Sequence, residues 1–205
     1  VAVDLAGNKT EAKVPFYIKE FKEKVDNIKI SDDFVNNISK HVLENSDMNV
    51  PSSIVDIFIK TNKELREKNV KTIRDVVKKN LVNDMKTSFD IKPFIRLPNA
   101  ATFAQFGERR HYFYGEEKID EAWHLGMDWA SVKRAEVQVT NPGKVIFKDY
   151  LGIYGDTVII DHGLGVGTLY AHTSSINVEV NDEVKAGQHI ANTGATGAVF
   201  GDHLH

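Results

Sequence analysis

Near residue 91 the chain changes its hydrophobic period, and that switch limits the folds open to it. Ahead of it, apolar residues recur at helical spacing. Ser31 is placed to cap a helix that carries Phe34, Ile38 and Val42 on one face. Pro51-Ser52-Ser53 opens a second helix with Ile54, Ile57, Phe58 and Leu65 in period, and a third holds Ile73, Val76, Val77 and Leu81. From about Ile91 the pattern becomes short strand-like runs split by glycine-rich turns: 136–140, 144–148, 157–161, 168–172, 177–181 and 188–192. Such spacing predicts an all-β sandwich or small barrel. Residues 1–16 read as two short strands around a Gly7-Asn8 turn, the second running through Val14. The expected class is therefore α+β, with a hairpin at 1–16, a helical segment at 17–90 and a β domain at 91–205. The helical segment is read as a spacer, with a lid over the β domain as the alternative.

With 205 residues, 41% of them hydrophobic, the chain can bury a sizeable core. Its formal charge of −3 and the absence of a basic stripe argue against nucleic acid as a partner. No apolar run reaches 18 residues, so no membrane span is expected. The chain opens on Val1 with neither an initiator Met nor a signal peptide, so a processed form or fragment is expected, with any signal or anchor upstream. There is no cysteine, so a metal site here must use histidine and carboxylate.

Two motifs supply those ligands: His124-Leu-Gly-Met-Asp128 and His203-Leu-His205. Alternate residues of a strand share a face, about 6.6 Å apart. A catalytic zinc takes three protein ligands of this kind and leaves a fourth position open. By spacing alone, one imidazole of the second motif could bind the metal while the other stands beside it. Taken singly, His124 reads as a surface histidine and Asp128 as a turn cap; the joint pattern favours a metal. His162 reads as structural within its Asp-His-Gly turn, His189 as exposed, and His41 and His111 have no evident partner. Tyr112, Phe113, Tyr114, Trp123 and Trp129 are core aromatics by default, with Tyr112, Tyr114 and Arg109 the candidates for a substrate groove. No nucleophile-elbow motif appears and cysteine is absent, which argues against a serine or cysteine nucleophile.

From about Pro98 to His205 the chain resembles the LytM/lysostaphin-type zinc metallopeptidases. The residues that carry the likeness are His124-Leu-Gly-Met-Asp128, Tyr170-Ala171-His172 and His203-Leu-His205. Phe106-Gly-Glu-Arg109, Asp161-His162-Gly163, Val184-Lys-Ala-Gly-Gln188 and Thr193-Gly194 support it. The resemblance implies a LytM-type antiparallel β domain holding one Zn2+ per chain through His124, Asp128 and His205. It implies a catalytic pair, His172 and His203, one acting on the attacking water and the other on the developing oxyanion. Relatives that only activate other hydrolases lack several of these five positions, and here all five hold the expected residue. Relatives also continue past the second motif into a closing strand, so further chain beyond His205 is expected.

The function implied is a zinc metalloendopeptidase that cuts peptide crosslinks of bacterial peptidoglycan, acting as a monomer on peptide stems in the cell envelope, periplasmic or secreted. The bond between D-Ala and a diamino acid is preferred over a glycine bridge. The runner-up is a non-catalytic LytM-type module that activates a cell-wall hydrolase. A third class follows from Val180-Asn-Asp-Glu-Val-Lys-Ala-Gly-Gln188, which resembles the hairpin of biotinyl and lipoyl carriers and would require Lys185 at a hairpin tip.

Overall fold

A computed structural model describes residues 2–11, 22–80 and 91–205. The chain is α+β, with its α-helices in the first half and most of its β-structure, largely antiparallel, in the second. In chain order the strands are β1 (Ala2–Val3), β2 (Lys9–Thr10), β3 (Val25–Lys29), β4 (Ala101–Ala104), β5 (Arg109–Tyr114), β6 (Glu117–Trp123) and β7 (Asp128–Ala130). There follow β8 (Glu136–Gln138), β9 (Gly143–Tyr150), β10 (Asp156–Asp161), β11 (Gly167–Tyr170), β12 (Ser175–Ile176), β13 (Glu183–Val184) and β14 (His189–Asn192).

Two sheets enclose the core of the second half, in the orders β11-β10-β9-β13 and β12-β14-β8. The middle strand β10 is buried from Thr157 to Ile160, which explains its unbroken apolar run: both faces are covered. Val137, Val145, Val158, Ile160 and Ile190 interlock between the sheets, with Leu204 joining from the C-terminal motif. The run 177–181 alternates like a strand but forms a turn. Asn181 lies in the left-handed region at φ +80°, a conformation that asparagine tolerates and a strand excludes. The Asn181 and Asn177 amides are nonetheless paired, with the carbonyls of Val145 and Ile190.

A separate sheet, β3-β5-β6, combines a hairpin with a parallel strand drawn from the first half. The stretch 25–29, expected within a helical segment, is therefore a strand, aligned with 109–113. The β5-β6 hairpin turns at Gly115, whose φ of +61° suits glycine. Val14, the expected end of the first hairpin, lies outside the described residues, but β1 and β2 pair as that hairpin requires.

The described residues form two long α-helices, besides a 3-10 turn at Gly152–Tyr154. The first, α1 (32–44), starts where the Ser31 hydroxyl accepts the Phe34 amide at 3.1 Å. The second, α2 (54–80), starts at Ser53, whose hydroxyl accepts the Asp56 amide at 3.3 Å. Its residues were expected to make two helices, but no glycine or proline interrupts 54–80, and the helix runs on through a π turn at Thr61–Leu65. Leu81 lies outside the described residues.

The helical segment is not a detached spacer. Phe34, Val35, Leu43, Ile57, Phe58 and Leu65 form one cluster with Tyr112 of β5 and with Ile153, against which Tyr154 and Ala198 also pack. Polar contacts fix the join. The Asn69 side-chain oxygen accepts the buried Ile153 amide at 3.0 Å, and Asn62 donates to Asp120 at 2.7 Å, both within the protein interior. Phe200 stacks on Phe34 with ring centres 4.3 Å apart.

Candidate metal centre

Between β6 and β7 the chain makes a tight link over residues 124–127, and that link sets His124 and Asp128 at its two ends. The imidazole of His124 is oriented from behind, since its Nδ1 donates to the Gln105 carbonyl at 2.9 Å. Its Nε2 is then the atom with a free lone pair, and it lies 3.1 Å from Asp128 Oδ1. The C-terminal motif reaches the same point from the other side. Leu204 exchanges both backbone hydrogen bonds with Trp129, at 2.8 and 2.9 Å, and this short pairing turns the His205 ring inward. His205 Nδ1 sits 2.7 Å from Asp128 Oδ1 and 3.1 Å from His124 Nε2.

Gly126 makes this convergence possible. A Cβ added there would fall 2.5 Å from two atoms of the His205 ring, so only glycine fits beneath the imidazole. The middle residue of the His124–Asp128 motif is thus fixed by packing.

The three atoms are a donor set fit for a metal. Zinc bonds of about 2.0–2.1 Å set tetrahedral ligand atoms about 3.3 Å apart, close to the spacing found. Two imidazole nitrogens 3.1 Å apart crowd one carboxylate oxygen, and a cation between the three atoms would relieve that crowding. Burial pushes the Asp128 carboxyl up, but hydrogen bonds and charge from His124 and His205 outweigh it and hold the group well below the usual carboxylate range. The second carboxylate oxygen is held too, by Arg110 Nη2 at 2.9 Å.

His172 and His203 stand alongside. Their ring centres are 4.9 Å apart, and His172 is 5.7 Å from His205. β11 ends at Tyr170, and His172 itself takes φ +61°, a left-handed conformation uncommon outside glycine. Its neighbours over-determine that geometry: its amide donates to Tyr154, the Ala171 amide to His205 and the Thr173 amide to Asp156. His172 Nδ1 donates to the Thr196 carbonyl at 2.9 Å, which leaves Nε2 unprotonated in the neutral ring. Burial, reinforced by His205 and His203, pulls its pKa down to about 3, so the ring is neutral at physiological pH. His203 Nδ1 donates to Gly201 at 2.8 Å in the same manner.

A cleft of about 820 Å³ opens over these groups. Its lining includes His124, Asp128, His172, His203 and His205 and, from the helical segment, Phe34, Asn62, Arg66 and Val70.

The family model for Peptidase family M23 matches residues 122–205, the stretch that carries all five of these groups. LytU, known from a solved structure, is 30% identical over a match that covers 58% of this chain and 77% of that one, with a TM-score of 0.43. Residues 122–205 of the chain belong to peptidase family M23. Among curated relatives, the DD-carboxypeptidase/endopeptidase Mpg of Neisseria meningitidis is 34% identical over 122 residues, covering 58% of this chain and 26% of Mpg. The murein hydrolase activator EnvC of Escherichia coli is 38% identical over 84 residues, covering 41% of this chain and 20% of EnvC. The chain thus spans about a quarter or less of the length of these two relatives.

Within the M23 site the expected groove residues are distributed unevenly. Tyr112 lines the inner end of the cleft but is buried, its ring 5.1 Å from Phe58. Tyr114 points away and donates to Asp32 at 2.7 Å. Arg109 faces the outside of β5, paired with Glu121 at 2.9 Å and Glu23 at 3.4 Å and lying over Trp123. The residue on the cleft side is its neighbour Arg110, which sequence reasoning missed; successive strand residues face opposite sides, and the register was not legible.

Other histidines have local roles. His162 donates to Pro142 and accepts from Thr168 at 2.8 and 2.9 Å, the structural role expected. His189 is half-buried rather than exposed and lies 3.2 Å from Asn192. His41 meets Glu44 at 2.9 Å, and His111 lies 3.7 Å from Glu121. Lys185 is not at a hairpin tip: β13 pairs with β9 and β14 with β8, so the segment lacks the geometry of a lipoyl or biotinyl carrier.

Proposed function

We propose that this chain is the catalytic part of a zinc metalloendopeptidase that hydrolyses peptide crosslinks of bacterial peptidoglycan in the cell envelope. The observation that carries this reading is the complete set of five groups: His124, Asp128 and His205 convergent within 3.1 Å, with His172 and His203 beside them. His124 Nε2, Asp128 Oδ1 and His205 Nδ1 would hold Zn2+, one per chain. Bound there, zinc supplies a Lewis acid and lowers the pKa of water toward neutrality.

The remaining steps belong to side chains. His172, fixed on Thr196 and neutral, offers Nε2 as an acceptor for the proton of the attacking water. His203, less buried and held by the Gly201 carbonyl through Nδ1, is the donor, with its other ring nitrogen serving the oxygen on which charge develops. The His172 proton then passes to the leaving amine. Arg110 keeps Asp128 ionised and oriented. The likeness to Mpg supports cleavage at the D-Ala to diamino-acid bond.

The test is digestion of purified crosslinked peptidoglycan with products read by mass spectrometry, with chelator, with zinc restored, and with His172→Ala. Chelator-sensitive loss of crosslinked dimers is expected, reduced at least about 100-fold in His172→Ala. That variant should still bind one zinc by elemental analysis. The likeness to EnvC favours a second reading, an activating module. Zinc bound without any cleavage by the parent protein would support that reading and overturn the enzyme.

A further inference from the structure

Three cations line the cleft, Lys24, Arg66 and Arg110. Lys24 is engaged by the buried Glu108 at 2.5 Å, and Arg110 by Asp128 at 2.9 Å. Arg66 forms no ion pair among the described residues; its contacts are to neutral oxygens of Asn62, Nε to the carbonyl at 3.0 Å and Nη2 to Oδ1 at 2.6 Å. A guanidinium carries five N–H donors, so three remain for other partners.

The side chain is also pre-oriented. Asn62 is buried within the π turn of α2, and its amide donates to Asp120 Oδ2 at 2.7 Å. Asp120 is buried as well, with Lys63 Nζ 3.1 Å from its other oxygen. Asp120 therefore fixes which end of the Asn62 amide faces Arg66, and Asn62 fixes the first two donors of the guanidinium. Arg66 lies close enough to Tyr154 for its charge to pull against the upward push of burial on that phenol. The Tyr154 ring in turn lies 5.7 Å from the imidazole of His205. A held, half-buried cation with free donors thus lines the same cleft as the three convergent groups.

Building on the peptidase reading, we infer that Arg66 is a specificity residue that binds a free carboxylate of the substrate peptide near the scissile bond. The recognised chemistry is an anionic peptide: one with an unblocked carboxyl group adjacent to the bond cut, as against its carboxamide. A planar guanidinium matches a carboxylate through two parallel N–H bonds, which a point charge such as lysine reproduces only in part.

The experiment uses the full-length protein and two synthetic crosslinked stem peptides that differ only in a carboxylate or a carboxamide beside the scissile bond. The parent should prefer the carboxylate roughly 10- to 100-fold in kcat/KM, mainly through KM. Arg66→Gln should bring that ratio close to one, Arg66→Lys should leave it intermediate, and Arg74→Gln, on the exposed side of α2, should not change it. Calorimetric titration of both peptides into zinc-loaded His172→Ala protein reads the same preference without turnover, so it decides the inference even where the parent cuts neither peptide. A parent that treats the two peptides alike, or an Arg66→Gln protein that keeps the parent's ratio, overturns the assignment.

Discussion

Arg110 and Gly126 show how single positions shape the centre without being among its three convergent groups. Arg110 holds the second oxygen of Asp128, so Arg110→Ala should loosen the carboxylate and weaken zinc affinity about 10- to 100-fold, measured by competition with a chromophoric chelator. Gly126→Ala should be more severe, because its methyl group must occupy the position of the His205 imidazole. We expect zinc stoichiometry to fall well below one while the circular dichroism of the folded chain persists. His172 was reached only through the family resemblance, whereas His124, Asp128, His203 and His205 were legible from the spacing of two short motifs. Arg110 was not, since its neighbour Arg109 is chemically identical, and only the register of β5 decides which of the two faces the cleft.

Among the elements, α2 carries the most long-range consequence. Its Asn69 accepts the buried Ile153 amide, and a Cβ on Gly152 would lie 2.5 Å from that same side chain. Asn69→Ala leaves a buried N–H without a partner, at a cost of about 1–3 kcal/mol. In a domain of this size that lowers Tm by about 2–4 °C per kcal/mol, a shift that calorimetry resolves. The N-caps at Ser31 and Ser53 and the apolar stripes of both helices could be read from local pattern. The fusion of two expected helices through a π turn could not, because the extra residue is stabilised by Asp120, 58 positions away from Asn62. The strand at 25–29 escaped notice for a similar reason. Its partner is 109–113, and a mostly exposed edge strand has little apolar alternation to betray it.

Taken whole, the molecule joins its two halves through one hydrophobic cluster, in which Ile153, with Tyr154 and Ala198 packed against it, meets the helices. The described chain should therefore unfold in a single calorimetric transition, and two separated transitions would show that the halves are independent. Metal removal should act on that same transition. A ligand that binds only the folded state at 100 times its Kd adds about 2.7 kcal/mol, so chelation should lower the Tm of the entire chain, helices included. The α+β division was visible from the change of hydrophobic period near residue 91. The docking of one part on the other was not, because which face of a helix meets which edge of a sheet depends on contacts that no local window contains.

The helical share of the cleft lining has a pharmacological corollary. The family match begins at residue 122, whereas Phe34, Asn62, Arg66 and Val70 come from outside it. A compound that binds only at the His124, Asp128 and His205 centre would act within the stretch that matches the family. One that also extends along the cleft would meet side chains from residues 22–80, and selectivity among M23 proteins can be sought there.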